Sequence, residues 1–214
     1  MKIKGTRVAV LLGVVGLGLV CLVIWGALTV VLGARLLPDV TTWGTQPSKA
    51  SSGLFLILQD ERWGFIDRTG KIVIPAQFDQ ARPFAEGFAM VSMDERWGFI
   101  DRTGKYIVNP QYDDAGDFSE GLAAVNRGDE WGFVNTAGKV VIELQFSEVS
   151  DFSEGLAAAR VKEQVGYIDK TGKTVIAPQF DDAWAFEDGL ALIRVGDKFG
   201  YIDKRGQLVW GPAN

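Results

Sequence analysis

The chain has 214 residues, with 22 Lys and Arg against 27 Asp and Glu, seven Trp, one Cys and no His. A net charge of −5 supplies no basic stripe for phosphates, so nucleic acid is excluded as a partner. Without His, and with a single Cys, the chain has no imidazole acid–base catalyst, Cys–His nucleophile, zinc site of the usual donors or disulfide framework.

The composition averages two unlike parts. Residues 1–7 carry Lys2, Lys4 and Arg7, and residues 8–34 then run for 27 positions without a charge. That exceeds the roughly 20 residues a helix needs to cross a bilayer. The apolar run is too long for a cleavable signal peptide and lacks a small-x-small site at its end. Cys21 lies inside it without the small preceding residue of a lipoprotein signal. A retained single-pass transmembrane helix is therefore expected, with the N-terminus cytoplasmic because the basic residues precede it. Everything after it is then extracytoplasmic, in the periplasm or at the cell exterior. All 27 acids follow the span, against 19 of the bases, which makes that part acidic.

Residues 35–53, mostly PDVTTWGTQPSKASSG, have a linker's composition, with Trp43 read as an interfacial aromatic. From residue 54 to 214 a period of 34 residues holds without insertion or deletion. Trp63, Trp97 and Trp131 are continued by Val165 and Phe199, each followed by glycine: Gly64, Gly98, Gly132, Gly166 and Gly200. These residues are a structural signature, and the domain is an array of repeats.

One unit, residues 122–155, reads as three strands: Leu122–Asn126, Trp131–Asn135 and Lys139–Glu143. Five such meanders are expected, at about 54–75, 88–109, 122–143, 156–177 and 190–211. Asp67, Asp101, Asp169 and Asp203 open turns that close on glycine, and Asn135 in the same place identifies these acids as turn formers. Alternation sets the Trp–Phe pair of the middle strand on one face and leaves the glycine between them to admit a close neighbour on the other. The segment from Gln145-Phe146 to Gly155 is expected to cap the meander and join it to the next. The fold class is all-β, five tandem three-stranded repeats behind one transmembrane α-helix. The repeats form an open solenoid-like array, with a small five-bladed propeller as the alternative.

The pattern WGFID-x-x-G-K-x-x-I, followed by QFD and F-x-E-G-L-A, stands from Trp63 to Leu122 and is echoed in the other units. It resembles the bacterial WG-repeat family over residues 54–211, with departures at Val165 and Phe199 that suggest weaker stacking there. The resemblance implies a β-repeat module often attached to membrane anchors, with no general activity.

Carboxylate chemistry is what remains. Asp113, Asp114, Asp117 and Glu120 share one connector, but acids recur at related places in other repeats, which fits solvated connectors better than a catalytic pair. The same four carboxylates offer oxygen ligands for calcium, without EF-hand spacing. Arg127-Gly128-Asp129 occupies a hairpin turn where other repeats carry unrelated residues. Trp184 differs, because its equivalents are Arg82, Gly116 and Ser150, so the repeat itself does not require it. The candidate binding surface is Trp184 with Asp181, Asp182, Asp113, Asp114 and Asp117. The expected function is a non-catalytic scaffold without cofactor or metal, binding a protein of the cell envelope; the alternative is a glycan- or peptidoglycan-binding module using exposed aromatics.

Overall fold

The computed structural model describes residues 53–211. The expected transmembrane helix and nearly all of the linker lie outside the described residues, among which no helix is long and apolar enough to cross a membrane.

Five antiparallel sheets follow one another along the chain. The first contains β1 (Leu54–Gln59), β2 (Arg62–Asp67) and β3 (Ile72–Phe78). The second contains β4 (Gln80–Ala81), β5 (Phe88–Met93), β6 (Arg96–Asp101) and β7 (Tyr106–Tyr112). The third contains β8 (Asp114–Ala115), β9 (Leu122–Arg127), β10 (Glu130–Asn135) and β11 (Val140–Phe146). The fourth contains β12 (Glu148–Val149), β13 (Leu156–Val161), β14 (Gln164–Asp169) and β15 (Thr174–Phe180). The fifth contains β16 (Asp182–Ala183), β17 (Leu190–Val195), β18 (Lys198–Asp203) and β19 (Leu208–Trp210).

The meanders fall in the expected register, with two differences. The first is the length of the third strand, which runs on through the Gln-Phe assigned to the connector. Phe133 pairs with Ile142 and Trp131 with Phe146, so three residues of β10 face five of β11. The surplus arches over the intervening glycine. A Cβ on Gly132 would sit 2.5 Å from the Ile142 carbonyl oxygen, and one on Gly98 2.5 Å from that of Val108. The glycine is thus required by a backbone, and that bulge carries Phe146 back to the Trp. The second difference is in the connectors, each of which adds a two-residue strand to the following sheet. Ala115 pairs with Val125, for example, and Ala183 with Ile193.

Sheets stack face on face. The face bearing Phe65 and Ile74 meets Ala89, Val91 and Ile100 of the second sheet. Phe99 and Val108 meet Ala123, Val125 and Val134. Phe133 and Ile142 meet Ala157, Ala159 and Ile168, and Tyr167 and Ile176 meet Ala191, Ile193 and Ile202. The connector phenylalanine is a wedge in each layer: Phe84, Phe118, Phe152 and Phe186 lie 4.8, 5.0, 4.8 and 4.8 Å, centroid to centroid, from Phe65, Phe99, Phe133 and Tyr167. A large ring on one side and alanine on the other fills the gap without voids. The outward faces of the first and last sheets differ: Phe55 is 48% exposed, Tyr201 40% and Trp210 64%.

Candidate functional site

Many of the acids among the described residues are held by the fold. Asp67 Oδ1 accepts hydrogen bonds from Thr69 N (2.8 Å), Thr69 Oγ1 (2.6 Å) and Lys71 N (3.1 Å). Asp101 and Asp169 repeat the set, and Asn135 Oδ1 accepts from Ala137 N and Lys139 N at 3.0 Å. The hydrogen bonds from Thr69 and Thr103 hold Asp67 and Asp101 below the usual carboxylate range. The Trp-Gly residues Trp63, Gly64, Trp97, Gly98, Trp131 and Gly132 are likewise structural, the three indoles half-buried against the cores.

The FSEG segments of the connectors fasten one repeat to the next, beyond the solvated role that the sequence suggested. Glu86 accepts from Glu120 N (2.8 Å) and Gly121 N (2.7 Å), Glu120 from Gly155 N (3.0 Å), and Glu154 from Gly189 N (3.1 Å). Lys170 and Lys204 pair with Glu120 (3.0 Å) and Glu154 (2.8 Å). Ser119 Oγ and Ser153 Oγ donate to the carbonyls of Phe152 (2.7 Å) and Phe186 (2.6 Å).

The expected binding surface is divided. Asp113 pairs with Arg96 and accepts from Gly128 N (2.7 Å), and Asp181 likewise accepts from Gly196 N (2.5 Å), so each braces the next hairpin. Asp114 accepts from Ala115 N (2.8 Å). Asp117 is half-buried beside Asp151, where desolvation raises its pKa against the pull of Arg82. With the carboxylates of one connector turned to different partners, no cluster of three acids fit to hold a metal forms among the described residues.

Trp184 and Asp182 do come together. They line an open groove of about 430 Å³ with Glu148, Ser150, Asp151, Arg160 and Val165. The groove exists because small Val165 stands in the tryptophan column. Arg160 differs from its register equivalents Leu58, Ser92 and Asn126 but is matched by Arg194, so the position is a variable one. Its guanidinium donates to Glu148 (2.8 Å) and Asp182 (2.8 Å), while Arg194 Nε donates to the other Asp182 oxygen (2.7 Å). Hydrogen bonds from Arg194 first, then Arg160, depress the Asp182 pKa, and Glu148 raises that of Arg160. Trp184 is fixed through its backbone: its N donates to Leu192 O (3.0 Å), and its carbonyl accepts from the Tyr167 hydroxyl (2.8 Å). Its indole is 44% exposed and leans on Phe199, 6.2 Å away. Arg160 was not singled out from the sequence, and Val165 was noted only as a departure that suggests weaker stacking; the available signal was that both lie in the same unit as Trp184.

The fold and groove define a protein of stacked β-meander repeats with variable positions on both strands and connectors. A family model described as WG containing repeat matches residues 63–97, 97–131, 131–163 and 166–199. The chain belongs to this family. No curated protein matches it. Among solved structures it is similar to a eukaryotic initiation factor, with 11% identity and a TM-score of 0.52 over 75% of this chain and 52% of that one. It is also similar to Kluyveromyces lactis Hsv2, with 12% identity and a TM-score of 0.50 over 75% of this chain and 59% of the other. The chain thus spans little more than half the length of these structures, and at such identities the likeness is one of fold alone.

Proposed function

We propose that the chain is a non-catalytic interaction scaffold of a bacterial cell envelope, tethered by residues 8–34 with its repeats outside the cytoplasm, and that a segment of a partner protein seats in the groove beside Trp184. The observation that carries this reading is the convergence of two departures from the repeat, Val165 and Trp184, on one groove that Arg160 also lines. A stack needs its repeated residues for packing; the buried Val165 leaves the room, and the exposed Trp184 that borders it is available for recognition. The uncharged 27-residue run with basic residues before it supports the tether and its orientation. Exposure of Phe55 and Trp210 supports an open array, since ring closure would cover both.

A glycan is the second reading, favoured by an exposed indole with Asp182 and Arg160 beside it, the arrangement on which a sugar ring stacks while its hydroxyls find charged partners. The full chain in detergent, used as bait in solubilised envelopes, is expected to capture a stoichiometric protein that Trp184→Ala does not. Co-sedimentation with purified cell-wall polymer, lost in Trp184→Ala, would overturn the scaffold in favour of the glycan module. Capture of the same protein by both forms removes the groove from the proposal. Protease access to the repeats in intact cells tests the orientation.

A further inference from the structure

The two ends of the stack are complementary. Within the chain the same junction occurs four times, an aromatic face laid on a small-residue face. The last sheet exposes the aromatic half of another such junction: Tyr201, in the register place of Phe65, Phe99, Phe133 and Tyr167, is 40% exposed where those four are 0%. The first sheet exposes the receiving half, because Phe55, Ile57 and Ile66 stand where Ala89, Val91 and Ile100 are covered.

Trp210 stands where the internal junctions carry Ile74, Val108, Ile142 and Ile176, and the mismatch at the wedge ring compensates for itself. Internal junctions take their wedge ring from a connector and offer alanine opposite it. At the outer face of the fifth sheet, Tyr201 meets Trp210 at 6.3 Å, and a groove of about 410 Å³ opens along Trp184, Asp188, Leu190, Leu192 and Tyr201. At the first sheet, phenylalanine replaces the alanine, so Phe55 brings the ring that Phe84, Phe118, Phe152 and Phe186 bring inside the stack.

The polar latch is present in halves as well. Asp188 (φ 50°) occupies the acid position of Glu86, Glu120 and Glu154 (φ 50°, 54° and 54°). Gly53 (φ 70°) occupies the donor position of Gly121, Gly155 and Gly189 (φ 84°, 86° and 82°). An acid at one end and a backbone donor at the other are complementary in the way that fixes orientation.

We propose that copies of this chain associate head to tail, the fifth sheet of one docking on the first sheet of the next, with Phe55 filling the groove beside Tyr201 and Asp188 reaching the Gly53 N–H. Such a heterologous contact does not close on itself in a dimer, so it propagates. The inference rests on the open reading of the array and shares only Trp184 and Ala185 with the groove of the proposed function.

Sedimentation of the full chain in detergent micelles tests it. The wild type is expected to gain mass with concentration, Phe55→Glu and Tyr201→Glu each to stay monomeric, and their equimolar mixture to stop at the dimer, because each variant retains the half the other lost. Both residues are exposed, and unchanged melting temperatures confirm that the variants fold; Phe55→Ser, expected to weaken association several-fold, is the milder control. A wild type that is monomeric at every concentration overturns the proposal, and if both substitutions then lower its melting temperature the chain closes on itself. Loss of association in only one variant points to a symmetric contact, and association kept in both points to the membrane segment; either result also overturns it.

Discussion

The third and fifth sheets share a register and differ in what lies beyond them. Phe133 of the third is wholly buried between Phe152 and the alanines of the next sheet, whereas its equivalent Tyr201 is 40% exposed. The same position in the repeat is thus a core residue in one place and a surface residue in the other. The difference teaches that stability in this array resides at the junctions between sheets more than within any one sheet, as expected when each unit contacts only its neighbours.

The largest test of that contrast is truncation of the ring. Phe133→Ala is expected to cost about 3–5 kcal/mol in urea melts, and Tyr201→Ala about 1 kcal/mol or less. Equal losses would show that the end face is covered.

Next is the glycine under the bulge. Gly132→Ala drives a methyl into the backbone of β11 at 2.5 Å and is expected to cost about 3 kcal/mol. At Gly200 the nearest atom is the Trp210 carbonyl oxygen at 2.8 Å, on the short exposed β19, which has room to shift, so Gly200→Ala is expected to cost clearly less. Thermal denaturation of the pair decides whether the arch is as tight at the end as in the middle.

The connector latch is weaker. Glu120→Gln keeps the shape but loses the charge that holds Lys170 and strengthens the bond from Gly155 N, a loss of about 1 kcal/mol. Asp188→Asn, at the equivalent place of the last connector, is expected to leave the monomer within about 0.5 kcal/mol.

The smallest effect is a pH dependence that separates the repeats. Asp67, Asp101 and Asp169 have pKa values lowered chiefly by hydrogen bonds from the threonine two residues on. The folded turns therefore bind fewer protons than the unfolded chain, and their contribution, full above the ordinary carboxylate pKa, is lost as pH falls through the folded values. Asn135 makes the corresponding bonds without titrating. In hydrogen exchange, protection at Thr69, Thr103 and Thr171 is expected to fall with acid while that at Ala137 holds; parallel loss at all four would place the acid response elsewhere.

The sequence by itself determined the periodic part of this protein. An unbroken 34-residue register located the hairpins, the Asp-to-glycine turns and the glycine that a neighbour must approach, because each depends on side-chain alternation or local hydrogen bonding within a few residues. The register also exposed Trp184 as a residue the repeat does not need.

Only the tertiary structure decided the rest, and for one physical reason: the partners lie 10 to 50 residues away. The third strand reaches Phe146 because β11 arches over Gly132, an accommodation between backbones that no local propensity encodes. Asp113 and Asp181, read from the sequence as surface acids, instead brace hairpins, and Glu120 grips a glycine one repeat on, because stacking brings the turns of successive units into contact. The groove needed two departures from the repeat to meet, and Val165 and Trp184 became one site with Arg160 only when the strands and the connector that carry them were packed together.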